Sequence, residues 1–173
     1  MREAVDAARV RRFMAALGRE GKKACRVYFT GGASAVLLGW RASTIDLDIK
    51  LVADDESLLK ELPRLKEELR VNVELASPDH FIPALPGWES RSVYITAEGP
   101  ISFFHYDFYA QALAKLERGH AVDLADCRSM LEKGLVERVK LRELHSQIEP
   151  ELYRFPAVDG TDFRAAVLAF IES

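Results

Sequence analysis

Two cysteines in 173 residues, Cys25 and Cys127, are too few for a disulfide framework, and neither belongs to a C-x-x-C spacing that would suggest zinc. Both are expected to be reduced and buried. No uninterrupted apolar run approaches the length of a bilayer span, and the opening MREAVDAARVRRFMAALG mixes charges among its apolar residues. Neither a signal peptide nor a membrane partner is therefore expected, and a cytoplasmic location follows. Neither G-x-x-x-x-G-K-[ST] nor G-x-G-x-x-G occurs, which sets aside P-loop and dinucleotide-binding readings. The four histidines, His80, His105, His120 and His145, lack metal-ligand spacing, and no repeat or low-complexity tract is found.

What remains is ordinary globular composition, 49% hydrophobic and 29% charged, long enough for one domain with a helical appendage. The net charge of −3 is unevenly spread: residues 1–30 hold eight Lys/Arg against three Asp/Glu, and the rest holds sixteen against twenty-four. On a helix over about residues 2–19, Arg2, Arg9, Arg12 and Arg19 fall on one side, and Ala7, Val10, Phe13, Met14 and Leu17 on another. The basic side reads either as a solvated face or as a docking strip for RNA or an acidic partner.

That helix should end near Gly18 or Gly21. Residues 25–30 alternate like a strand, 33–38 form a short apolar helix after Gly31-Gly32, and 44–52 form a second strand. Asp54 is expected to cap a helix reaching Leu69, followed by a strand over 71–75. The Pro- and Gly-rich stretch 76–92 reads as a loop, in which Trp88 is a loop anchor or a stacking surface. Residues 93–97 and 101–105 flank Glu98-Gly99-Pro100 as an edge hairpin, and helices are predicted over 107–118, 121–133, 135–147 and about 159–171. The fold class expected is α/β in the α+β sense: a mixed sheet with flanking helices over 1–106, and a C-terminal helical bundle over 107–173, packed as one compact unit. The aromatic residues Tyr94, Phe103, Phe104, Tyr106, Phe108 and Tyr109 are expected as core and sheet cover.

Chemistry concentrates in Ile45-Asp46-Leu47-Asp48-Ile49. Strand side chains alternate, so Asp46 and Asp48 share one face while Ile45, Leu47 and Ile49 point into the core. Like charges that close repel unless a cation lies between them, which suits a hard divalent metal, Mg2+ or Mn2+. Glu74 could supply a third carboxylate from a neighbouring strand. At Thr30-Gly31-Gly32-Ala33-Ser34, two glycines let the backbone approach a bulky anion, with the helix behind them aimed at it; a triphosphate fits. Arg41 and Thr44 stand close enough in sequence to reach phosphate, and Lys115 in an otherwise apolar helix is either a phosphate contact or a lysine reaching out to solvent.

Gly31-Gly32, a thirteen-residue interval and Asp46-Leu47-Asp48 resemble the signature of the DNA polymerase β-type nucleotidyltransferase superfamily. GGASAVLLGWRASTIDLDIKL and YDFYAQALAKLERGHAVDLADCRSML are similar, more narrowly, to bacterial nucleotidyltransferases related to the AbiEii and MenT toxins, over roughly residues 25–135. The resemblance implies a nucleotidyltransferase fold and transfer of a nucleotide from an NTP, in some relatives onto the acceptor end of tRNA, as the toxin of a toxin–antitoxin pair. It implies metal ligation by Asp46 and Asp48 with Glu74 as third carboxylate, phosphate contact at Gly31 and Gly32, Lys115 near the triphosphate, and Asp123 or Asp126 as the aspartate of a K…D segment. Superfamily members often carry Gly-Ser where this chain has Gly31-Gly32, which leaves Ser34 for a serine contact. The competing expectation is a non-catalytic module, antitoxin or scaffold, that docks a cognate protein through its first helix or its helical C-terminal half.

Overall fold

A computed structural model describes residues 3–54 and 56–173. Arg2, assigned above to the basic side of the first helix, lies outside them. The chain divides into two compact units: one runs through Ser77 and resumes over Val93–His105, and the other comprises Pro78–Ser92 and Tyr106–Ser173.

The first unit holds a five-stranded mixed sheet, consistent with a nucleotidyltransferase-like α+β fold. Its strands are β1 (Cys25–Thr30), β2 (Asp46–Val52), β3 (Asn72–Leu75), β4 (Val93–Glu98) and β5 (Ile101–His105), in the order β3-β2-β1-β5-β4. β1 runs antiparallel to β2 and parallel to β5, β2 runs parallel to β3, and β4–β5 is the edge hairpin read from Glu98-Gly99-Pro100. Three helices accompany the sheet: α1 (Ala7–Glu20), α2 (Gly32–Leu38) and α3 (Leu62–Leu69). Val10, Phe13, Met14 and Leu17 of α1 pack with Phe29, Leu47, Ile49 and Phe103 of the sheet in one apolar core. Phe13 meets Phe29 edge-on, and Phe29 stacks on Phe103 with ring centroids 5.9 Å apart.

Local chemistry explains where the element ends depart from the sequence reading. α1 begins only at Ala7, where Asp6 accepts from the Arg9 amide at 2.9 Å. Gly18 lies inside α1, and Gly21 caps it. A Cβ on Gly18 would stand 2.6 Å from the Glu98 carbonyl oxygen, so that glycine lets the β4–β5 hairpin approach the helix. α3 starts at Leu62, not at Asp54, because Pro63 near its first turn cannot sit inside a longer helix; a single 3-10 turn at Leu59–Glu61 precedes it. Ile45 is 46% exposed and not in the core, since β2 starts one residue later and Thr44 is instead bridged to Val5, amide to carbonyl in both directions. Cys25 is half-buried, whereas Cys127 is fully buried, and neither is in a disulfide.

The second unit contains the short α4 (Trp88–Arg91) and the helices α5 (Phe108–Arg118), α6 (Ala121–Glu132), α7 (Arg138–Ile148) and α8 (Gly160–Glu172). α5 touches α6, α7 and α8, so it is the axis of this bundle. Asp107 caps α5 by accepting from the Tyr109 amide at 3.1 Å, and its other oxygen accepts from Arg91 Nε and Nη2 at 3.0 and 2.7 Å. Trp88 stacks on buried Tyr106 at 4.6 Å, which makes it an anchor of the loop. Tyr94 of β4 lies on the sheet and not in the core: it is 58% exposed, edge-on to Phe104. No helix among the described residues is long and apolar enough to cross a membrane.

Candidate active site

Pairing in the first unit sets the carboxylates side by side. β2 and β3 align Asp46 with Asn72 and Asp48 with Glu74, while β1 and β2 align Thr30 with Asp48. Leu47, Ile49 and Val73 are buried on the core side, so Asp46, Asp48, Asn72 and Glu74 occupy the opposite face together. Asp46 and Asp48 are half-buried and Glu74 is exposed.

Asn72 sits between two of these acids. Its Nδ2 donates to Asp46 Oδ1 at 2.6 Å and to Glu74 Oε1 at 3.0 Å. The sequence reading overlooked Asn72, because its significance lies in the β2–β3 pairing; the only hint was its place two residues before Glu74, on the same face of one strand. Among the described residues, no three Asp, Glu, His or Cys side chains converge closely enough to count as one metal cluster. The acids are distributed over two strands, and one amide lies between Asp46 and Glu74. The donor set nevertheless fits a hard divalent cation: it consists of carboxylate oxygens, with none of the thiolate or imidazole that suits softer metals.

The glycine turn adjoins this face, and its two glycines differ. Gly31 has φ +57° and ψ −127°, a conformation that side chains resist, and a Cβ there would be 3.4 Å from Asp48 Oδ2. Gly32 is buried, and a Cβ on it would collide with the Thr44 side chain and lie 3.4 Å from Arg41 Nη1. The structure thus brings Gly31, Gly32, Arg41, Thr44 and Asp48 together, but Gly32 serves packing against Thr44 more than an open cradle. Thr44 Oγ1 in turn donates to the Asp46 main-chain carbonyl at 3.2 Å. Ser34 is a correction: it is wholly buried, donates to the Phe29 carbonyl at 3.3 Å and shares a 2.9 Å hydrogen bond with His105 Nδ1, so it holds α2 to the sheet instead of meeting phosphate. Burial lowers the His105 pKa to about 4.

Lys115 and Asp126 belong to the second unit. Lys115 is 8% exposed, its Nζ donates to Asp126 Oδ2 at 2.8 Å, and it stands 3.7 Å from Asp123 Oδ1. Asp123 also accepts from Arg118 Nε at 2.8 Å and from the His120 amide at 3.2 Å. Burial pushes the Asp123 carboxyl up, but Arg118, Lys115 and the His120 amide outweigh it and hold the pKa below the ordinary value. Lys115 does not reach out to solvent: the K…D segment is an ion-pair network joining α5 to α6. Beside it, burial drives the Cys127 thiol up to about 12, which leaves it protonated.

Arg9, expected on a basic docking side, is also committed elsewhere. Its guanidinium donates to the carbonyls of Ala4, Leu69 and Arg70, each at 2.8 Å.

No curated protein and no solved structure matches the chain. A family model described as a nucleotidyltransferase of unknown function (DUF6036) matches residues 8–171, which takes in the glycine turn, both aspartates of β2 and the K…D segment. With nearly its whole length matched, the chain belongs to this family of nucleotidyltransferases of unknown function.

Proposed function

We propose that the protein is a divalent-metal-dependent enzyme that transfers a nucleotide from a nucleoside triphosphate to a hydroxyl acceptor, an RNA end such as that of tRNA before a protein or small molecule. In this reading it is the toxin of a toxin–antitoxin pair, akin to AbiEii and MenT, and meets a cognate antitoxin. The observation that carries the catalytic part is the position of the Asp48 carboxylate beside Gly31, with Asp46 one step along the same face of β2.

Asp46 and Asp48, with Glu74 in register across β3, would hold Mg2+ or Mn2+ through carboxylate oxygens. Such a cation supplies positive charge that neutralises a triphosphate and acidifies an attacking hydroxyl. Gly31, lacking a side chain, leaves room for a phosphate next to Asp48, and the hydrogen bond from Thr44 to the Asp46 carbonyl fixes the start of the carboxylate strand. The reaction joins the acceptor oxygen to the α-phosphorus and breaks its bond to the bridging oxygen, releasing pyrophosphate.

The test is label transfer from each of four α-labelled NTPs to total RNA or lysate in the presence of Mg2+. Transfer that disappears in Asp46→Ala and Asp48→Ala, at unchanged melting temperature, supports the reading. Metal and NTP binding without transfer to any acceptor would favour a non-catalytic binding module or antitoxin component. That second reading draws on the exposed Arg11, Arg12, Arg19 and Lys22 in and just after α1.

A further inference from the structure

We infer that Asn72 is a positioning residue for the carboxylate face and that its amide sets how tightly the face takes a divalent cation. The inference rests on the metal-dependent reading above and deepens it.

The geometry is specific. Asn72 is the register partner of Asp46 and lies two residues before Glu74 on the same face of β3. One Nδ2 group donates both of its hydrogens, to an oxygen of Asp46 on the next strand and to an oxygen of Glu74 on its own. An amide that does this acts as a neutral clamp: it draws two like charges toward one point without adding a charge. Asp48 has Glu74 and Thr30 as its register partners, and its Oδ2 would lie 3.4 Å from a Cβ on Gly31.

Hydrogen bonds to ligating carboxylates fix their orientation, and losing such partners typically weakens metal affinity about 10- to 100-fold. Alanine at position 72 removes the clamp, so Asp46 and Glu74 swing apart under their own repulsion and must be gathered again for each cation bound. In this role the amide positions the ligating carboxylates and is not itself a ligand.

The probe is Mn2+ alone, titrated against the full-length protein by electron paramagnetic resonance or calorimetry. Thermal melts without metal run alongside. Asn72→Ala is expected to weaken Mn2+ affinity by about 10-fold or more at an unchanged apo melting temperature. Asn72→Thr, which suits a strand and cannot span both acids, is expected to do the same and serves if the alanine variant does not fold. Asp46→Asn is the control that abolishes binding. If Asp46→Asn abolishes binding while both position-72 variants stay within about twofold of wild type, the inference is overturned and the metal-dependent reading survives. If the wild type itself binds no Mn2+, that reading falls and takes the inference with it. Tighter binding in either variant also overturns it, since the clamp would then oppose the cation.

Discussion

Lys115 Nζ lies 2.8 Å from Asp126 Oδ2, with both side chains buried where α5 meets α6. A buried pair of this kind contributes little net stability as a pair, but removing one member leaves the other charged and unsolvated. Lys115→Met is therefore expected to destabilise the protein by about 3–5 kcal/mol, measured by urea denaturation. Lys115→Met combined with Asp126→Leu should recover much of that loss, because the isolated carboxylate is gone. A single variant as stable as wild type would contradict the network described here.

Gly31→Ala forces a side chain into φ +57°, ψ −127°, and such strained backbone costs of order 1–3 kcal/mol. The expected result is a melting temperature lower by several degrees, accompanied by loss of NTP binding, because the new methyl stands against Asp48. Gly32→Ala should also destabilise, for a different reason: its methyl meets Thr44. Adding Thr44→Gly removes the obstructing side chain, so it should restore stability to Gly32→Ala and do nothing for Gly31→Ala. Equal rescue of both would show that the two glycines are not distinct.

His105 ties stability to pH. Burial lowers its pKa from 6.5 to about 4, so between those values the unfolded chain binds more protons than the folded one. Stability is then fully retained above about pH 6.5 and declines as the pH falls toward 4, by about 3 kcal/mol in all for this group. Burial lowers the His145 pKa as well, which acts in the same direction. In His105→Asn, an amide takes the place of the imidazole Nδ1 but does not ionise, and the dependence between pH 6.5 and 4 should flatten. Denaturation midpoints measured across that range for the two proteins check it. Parallel curves would mean that His105 is not held neutral.

The residues that announce themselves in the sequence are those whose role depends on near neighbours in the chain. Residues 25–30 have the same limits in both readings because alternation and β-branching act locally, and the hairpin at Glu98-Gly99-Pro100 needs only its own turn chemistry. The placement of Asp48 beside the glycine turn was foreseeable from a strand-to-helix turn followed by a D-x-D strand. The rest depended on pairings that no local pattern encodes. Asn72 acquires its contacts only when β3 lies parallel to β2 in the observed register, and Lys115 meets Asp126 only when α5 and α6 fold against each other. Ser34 is the serine left for a phosphate contact where superfamily members often carry Gly-Ser, yet α2 turns its hydroxyl inward to His105. Pro63 sets the start of α3, since a proline is tolerated in the first turn of a helix but not further in.

Asp46→Asn and Asp48→Asn remove one negative charge each from the shared face while keeping side-chain shape. Both variants should lose nucleotide transfer by several orders of magnitude and melt at or above the wild-type temperature, since repulsion between like charges is relieved. Calorimetric melts and the label-transfer assay together check this. A variant that unfolds would mark the aspartates as structural.

The three carbonyls held by Arg9 give the first helix a task outside its own unit of secondary structure. Two of them, on Leu69 and Arg70, are at the C-terminal end of α3, where peptide oxygens have no partner within the helix, and the next residues enter β3. A single guanidinium thus fastens the short turn from which the strand bearing Asn72 and Glu74 departs. Shortening or tagging the chain ahead of Arg9 therefore carries a hazard at the β3 edge of the sheet: slack introduced there would be felt as misaligned acids, although no residue of the carboxylate face had been touched.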